Sequence, residues 1–362
     1  MGASEKTAAG VSMLPLLPQD ILVEILSKLP AKSLVRFSEE NPRRLGMLQA
    51  NRLAYLDSEP YLEGCLRSSS DGLICLSRPN GDFVVCNVST GQRISLPRIQ
   101  FHSPHMLSPC VLGFDSQSKR YKVLISARMI DRSICFEYKH WILTVGVDKS
   151  WREINYSSHP FDGYGSPINS DTSSVYIDGV IYSYNWMTKA DHPSFHIVAF
   201  EVGSESYSLI PFPAKVSSSH RYLSVGYLSP FMEKRRALIR DFALLQVDGG
   251  RLAIVLVRRT GRLCYMDVWT WEKSKERWEK ITAPLPLEES KTIKEVEYLR
   301  YTTNNAGEIV LLCINRERFF ILICNLKSEV WRQFEVGGVE EFPILCPRDV
   351  RMYRNMDNVF SL

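Results

Sequence analysis

Two periodicities divide the chain. Between Leu17 and Phe37 the apolar residues recur at helical spacing. Leu22, Ile25, Leu26 and Leu29 fall at i, i+3, i+4 and i+7, one stripe on a helix. Pro18 suits the first helical position, where its missing N–H costs nothing, and Asp20 and Glu24 lie in the early turns that the helix dipole favours. Pro30 stops this helix and opens a second short one, Ala31 to Phe37, carrying Leu34 and Phe37. Asn41-Pro42 predicts a third helix start, leading into Arg43 to Leu53. Three helices this short bury little by themselves. The head therefore needs something to pack on.

After Pro60 the period becomes two. Five segments (83–97, 142–154, 197–213, 267–286 and 320–336) each read as an apolar strand, a polar turn and a second strand. The second strand usually opens on an aromatic: Trp151, Tyr207, Trp278 or Trp331. A further hairpin precedes each one, at 68–77, 113–126, 173–184, 244–257 and 303–315, most with Asp-Gly or a nearby Gly at the turn. Two hairpins make a four-stranded sheet, and the sheet recurs every ~50–60 residues, the signature of a kelch-like β-propeller with inserted loops. The expected fold is mainly β: a small three-helix head, then a propeller of about five to seven blades. A sixth unit would come from residues near 215–240 or from the two ends of the body. The expected divisions are a disordered tail at 1–13, a helical domain at 14–56 and a propeller at 61–362.

Composition narrows the partners. The chain is 45% hydrophobic and 23% charged with a net charge of +4, too mild to announce nucleic acid or a membrane surface. Lys234-Arg235-Arg236 and Arg258-Arg259 are local basic clusters that read as solvated loops. Nine cysteines without a CxxC pair predict buried thiols in a reducing cytosol or nucleus. The first residues lack the charged start and apolar run of a signal peptide, and Lys6 stands where a myristoylation site wants Ser or Thr. The pairs His102-x-x-His105 and His192-x-x-x-His196 lack supporting ligands, and Pro193 interrupts the second. With no nucleophile elbow, P-loop or dinucleotide fingerprint, no cofactor, metal or catalytic residue is expected. The repeated tryptophans read as blade packing rather than a base-stacking platform.

The residues Leu17-Pro18-x-Asp20-Ile21-Leu22-x-x-Ile25-Leu26-x-x-Leu29-Pro30-x-x-Ser33-Leu34-x-Arg36-Phe37 resemble the first half of an F-box. That resemblance implies docking on a Skp-type adaptor and, through it, on a cullin-RING ubiquitin ligase. The matched positions expected to serve the adaptor are Leu17, Pro18, Leu22, Ile25, Leu26, Leu29, Pro30, Ser33, Leu34 and Phe37. The family's Val-Cys-Lys-x-Trp continuation is replaced by Glu40-Asn41-Pro42-Arg43-Arg44.

Behind the head, Ser70-Asp71-Gly72-Leu73-Ile74-Cys75-Leu76, Asn87-Val88-Ser89-Thr90-Gly91 with Leu96-Pro97, and Gly113-Phe114-Asp115 through Tyr121-Lys122-Val123 resemble motifs of the plant F-box-associated domain. Asp178-Gly179-Val180-Ile181-Tyr182-Ser183 sits on a fourth, without its His-Trp pair. The resemblance implies a non-catalytic subunit whose propeller binds an unknown target protein. Target contacts are expected on one propeller face, in loops near 98–110, 126–140, 155–172 and 185–195, with Trp186 a candidate contact. Two other readings stay open: a free-standing propeller that has lost the adaptor, and a propeller enzyme, which would need acidic groups, histidines or a metal converging in the channel.

Overall fold

The computed structural model describes residues 46–49 and, with gaps, 65–337. Residues 1–45, 50–64, 155–173, 217–241 and 338–362 lie outside the described residues, as do several shorter stretches. The two expected helices between Leu17 and Phe37 fall there. The third, over Arg43 to Leu53, is not a helix at its centre. Gly46–Gln49 form a strand, β1.

The body contains five sheets, and each of the ten hairpins expected from the repeat is present. Blade 1 holds β2 (Cys65–Ser70), β3 (Leu73–Ser77), β4 (Phe83–Asn87) and β5 (Arg93–Leu96). Blade 2 holds β6 (His105–Asp115), β7 (Arg120–Ile130), β8 (Phe136–Thr144) and β9 (Arg152–Ile154). Blade 3 holds β10 (Ser174–Ile177), β11 (Val180–Lys189), β12 (His192–Glu201) and β13 (Tyr207–Pro211). Blade 4 holds β14 (Phe242–Val247), β15 (Arg251–Thr260), β16 (Leu263–Glu272) and β17 (Arg277–Pro284). A helix, α1 (Leu287–Glu295), leads into blade 5: β18 (Tyr298–Thr303), β19 (Ile309–Ile314), β20 (Phe319–Asn325) and β21 (Val330–Gly337). Each blade is an antiparallel meander in chain order. The range of five to seven blades thus becomes five among the described residues.

The first strands of neighbouring blades touch, β2 with β6, β6 with β10, β10 with β14 and β14 with β18, so they form the inner ring. The core lies between blades rather than within one. Phe83 and Leu73 of blade 1 meet Leu112 and Ile125 of blade 2. Ile181 and Phe200 of blade 3 meet Leu124 and Ile142 of blade 2 on its other face. Strand position within a blade sets the pattern of burial. All six residues of β19 are buried, because a middle strand is covered on both faces. The outer β13 is mostly open. First-hairpin turns need positive φ, which Asp178 and Gly179 supply at 46° and 87°.

β1 explains why the helical reading of residues 43–53 fails. It pairs in parallel with β21, Gly46 opposite Phe334 and Gln49 opposite Gly337. The outermost strand of a blade leaves a row of unpaired N–H and C=O groups, and β1 satisfies part of that row. Tertiary pairing has overridden a local pattern. The first compact unit of the chain ends at Arg44, and β1 belongs to the second.

Candidate functional site

In a meander, the turn between second and third strands and the connection to the next blade leave from the same end of the sheet. α1 marks that end on blade 4. Ser290 Oγ accepts from the amide of Cys264, the second residue of β16, at 3.3 Å. The Arg259 guanidinium, one residue before the end of β15, donates to the carbonyls of Ile293 and Lys294 at the helix C-terminus. Arg259 of the expected solvated cluster is therefore half-buried and structural.

This end of the ring is uneven. In blades 2, 3 and 4 the central hairpins run high, pairing out to Ile130–Phe136, Lys189–His192 and Thr260–Leu263. Their strands are 9 to 11 residues long. The corresponding strands of blades 1 and 5 have 5 to 7 residues. A difference of about four residues raises the taller hairpins by about 13 Å. The result is a wall along blades 2 to 4 beside a low sector at blades 1 and 5. Two of the four loops expected to carry target contacts, near 126–140 and 185–195, are mostly these extended strands. The paired runs 120–130/136–144 and 180–189/192–201 are long enough to be strands. The loop near 98–110 is likewise part strand, since β6 begins at His105. The segment 155–172 lies outside the described residues. The three that contain described residues leave the sheets at the same end.

Trp186 lies in β11 opposite Phe195 of β12, two rungs above the Tyr184–Ile197 pair. Below that pair the blade 3–4 contact is aromatic. Tyr184 packs edge-on against Phe212 and Phe242, with centroids 5.2 and 4.9 Å away. Facing it, the raised part of blade 4 carries Arg258 over the Tyr265 ring at 5.2 Å and 3.0 Å from Asp267. Lys280 also reaches Asp267, at 2.9 Å, and Thr282 donates to it at 2.7 Å. Burial, the largest influence, pushes the Asp267 carboxyl up, but these donors together hold it below its ordinary value. Leu263 is exposed at the tip. Sequence reasoning missed this third hairpin; its signal was the long apolar run on both sides of Thr260-Gly261.

The opposite end of the ring holds a latch. Lys122 of β7 is buried between blades 2 and 3. Its ammonium lies 3.1 Å from both Asp115 Oδ2 and Glu205 Oε1 and donates to the Val202 carbonyl at 3.0 Å. Arg152 grips Glu205 through both carboxylate oxygens, at 2.8 and 2.6 Å. Asp115 also accepts from the amides of Gln117 and Ser118 and the Ser118 hydroxyl. Burial penalises the Lys122 cation most, yet its two carboxylate partners raise its pKa above the ordinary value. The Gly-Phe-Asp and Tyr-Lys-Val motif is thus an interblade fastening. Gly113 belongs to it, since a Cβ there would lie 2.8 Å from Val202 Cγ2.

Tryptophans fasten the rim. Trp151 donates its indole N–H to the Pro97 carbonyl, and Trp278 donates to the Pro211 carbonyl at 2.7 Å, each crossing to the preceding blade. Trp331 packs on the blade 4–5 core. Burial pushes the thiols of Cys86 to about 11 and of Cys313 and Cys324 to about 12, which makes them poor nucleophiles. His192 and His196 both lie in β12, where residues four apart sit about 13 Å from each other, so the helical zinc spacing is not realised. No group of three His, Cys, Asp or Glu able to hold a metal occurs among the described residues. The adaptor positions from Leu17 to Phe37 lie outside the described residues, and only the backbone of Trp186 is described.

Comparison with known proteins agrees with the architecture. A family model described as F-box associated beta propeller domain matches residues 31–359, and one described as F-box domain matches residues 14–39. F-box protein At1g30790 of Arabidopsis thaliana is 28% identical over 273 residues, covering 72% of this chain and 61% of that protein. F-box/LRR-repeat protein At2g40920 of the same plant is 24% identical over 303 residues, covering 78% of this chain and 63% of that one. The chain thus spans a little under two thirds of these two relatives. F-box protein At4g19940, also of Arabidopsis thaliana, is 23% identical over 390 residues, covering 90% of this chain and 87% of its own length. A propeller-family match over most of the length, preceded by an F-box match and realised as five four-stranded blades, means that this chain belongs to the F-box associated beta propeller family.

Proposed function

We propose that the chain is the substrate-recognition subunit of an SCF-type cullin-RING ubiquitin ligase. The observation that carries this reading is the order of the two matched domains, an F-box at 14–39 ahead of an F-box associated propeller. The head would bind a Skp-type adaptor through Leu17, Pro18, Leu22, Ile25, Leu26, Leu29, Pro30, Ser33, Leu34 and Phe37. The propeller would hold a target protein on the face bearing the raised hairpins of blades 2 to 4, with Trp186 among the contacts. The subunit does no bond chemistry itself. It acts by proximity, raising the effective concentration of target lysines at the charged ubiquitin enzyme. Such a subunit would work in the cytoplasm or nucleus. Its partners would be the adaptor, through it a cullin, and the target, without nucleic acid or membrane.

The test is capture of a purified Skp-type adaptor by the full chain and by the double variant Leu26→Glu, Leu29→Glu. Binding that the double variant loses supports the reading. A well-folded wild-type chain that captures no adaptor overturns it.

A second reading has a specific observation behind it. Glu40-Asn41-Pro42-Arg43-Arg44 replaces the usual third-helix run, and Gly46–Gln49 are already committed to the propeller as β1. On that reading the chain is a free-standing propeller that binds proteins without ubiquitin, and the same capture experiment decides between the two.

A further inference from the structure

Cys75 of β3 in blade 1 and Cys110 of β6 in blade 2 face each other across the interblade core. Their sulfurs are 3.2 Å apart, and the residues are 0% and 1% exposed. Neither cysteine is in a disulfide. A disulfide needs the sulfurs at about 2.05 Å, so closure requires them to approach by a little over 1 Å, a side-chain adjustment rather than a blade movement. The contrast within blade 5 is instructive. Cys313 and Cys324 sit on adjacent strands but four rungs apart, with Cys313 opposite Phe320 and Cys324 opposite Ile309. Proximity in a sheet alone therefore does not bring two thiols together here; the blade 1–blade 2 packing does.

We propose that Cys75 and Cys110 are a latent cross-blade staple that hydrogen peroxide closes. In the first step one sulfur, as thiolate, attacks a peroxide oxygen. The O–O bond breaks, the sulfur becomes a sulfenic acid, and the departing hydroxide takes up the thiol's proton as water. In the second step the other sulfur attacks the sulfenic sulfur, the S–S bond forms, and a second water leaves. Two thiols are oxidised by two electrons and one peroxide is reduced to two waters. Because both sulfurs are covered, the first step waits on a local opening of the blade 1–blade 2 contact. Closure is therefore slow, and once made it suppresses that opening. The staple ties β3 to β6 across a loop of more than 30 residues, so it removes unfolded-state freedom.

The test uses the full-length protein, reduced and then exposed to hydrogen peroxide under native conditions, with remaining thiols alkylated in denaturant and peptides mapped by mass. The expected result is a linked pair of peptides containing Cys75 and Cys110, two free thiols lost, and an unfolding temperature higher by about 5 °C that dithiothreitol reverses. Cys110→Ser and, as an apolar control for folding, Cys110→Ala should retain the far-ultraviolet circular dichroism of the parent and show no such rise. The proposal is overturned if both cysteines stay fully alkylatable under peroxide that oxidises an added reference thiol. It is equally overturned if the link forms only in denaturant, or if the Cys110 variants stabilise as the parent does.

Discussion

Asp115→Asn isolates the charge in the latch between blades 2 and 3. Burial is the largest influence on this carboxyl and raises its pKa. The hydrogen bonds from Ser118, Lys122 and the Gln117 amide outweigh it and hold the group at about 2, from an ordinary 3.8. A carboxyl depressed on folding binds fewer protons in the native state, so its contribution is fully present above the unfolded value and is lost as pH falls through about 2. The difference corresponds to about 2.5 kcal/mol at neutral pH, with about half gone by pH 3. The side chain is 5% exposed, so solvent screening removes little of this. Asparagine keeps the shape and an acceptor for the Gln117 amide but leaves the buried Lys122 with one carboxylate instead of two. Urea unfolding at pH 7, 4.5 and 3, followed by tryptophan fluorescence, reads the difference between parent and variant. The expected gap is about 2–3 kcal/mol at pH 7, narrowing to about half at pH 3. A gap equal at pH 3 and pH 7 would refute the electrostatic account and assign the loss to packing. No gap at pH 7 would mean that the latch does not hold the blades together.

Three further outcomes follow from the same structure. Gly113→Ala pushes a methyl group to 2.8 Å from Val202 and 3.2 Å from Ile181, and should cost about 1–3 kcal/mol in thermal or urea unfolding; a neutral result would mean that blade 3 yields freely there. A chain starting at residue 61 lacks β1 and leaves β21 with an open edge. It should melt lower and associate more, by light scattering, than one starting at residue 45. Trp278→Phe keeps most of the ring packing but removes the donor to the Pro211 carbonyl, and should cost about 1 kcal/mol, against about 3 for Trp278→Ala. Equal losses in the two would place all of the effect in the hydrogen bond to Pro211.

The repeat was legible because radial symmetry forces each blade to solve the same problem. A middle strand covered on both faces reads as a continuous apolar run, as in β19, and its polar turn must reverse within a few residues, as at Asp178-Gly179. Those constraints are local, so they are written in contiguous residues. The ring's closure is not local. Nothing within Gly46-Met47-Leu48-Gln49 distinguishes a helix start from a strand, because the deciding partner, β21, lies nearly 300 residues away. The motifs carried a related ambiguity. Gly-Phe-Asp and Tyr-Lys-Val marked family membership, but only their placement shows that Lys122, paired with Asp115, reaches across to Val202 and Glu205 of the next blade.

The candidate site is harder to read for a physical reason. Blade residues answer to a fixed interblade spacing, whereas the tips of the hairpins answer to whatever they meet. The runs of β7, β11 and β15 pass from the core into their raised parts with no Gly or Pro between, so the sequence gives no sign of where the ring's own packing ends. The ends of the neighbouring blades do. Where β3–β4 and β19–β20 stop after 5 to 7 residues, the raised parts of blades 2 and 4 stand above the neighbouring blades 1 and 5. Residues above that level are not required for closing the ring, and those are the positions where substitution should alter partner binding before it alters stability. Leu263→Ser, at an exposed position on the tip of blade 4, separates the two. The unfolding midpoint should stay within about 0.5 kcal/mol of the parent, while capture of a target identified by proximity labelling should weaken. A variant that melts early yet binds its target as well as the parent would place the tip in the fold and the docking surface elsewhere.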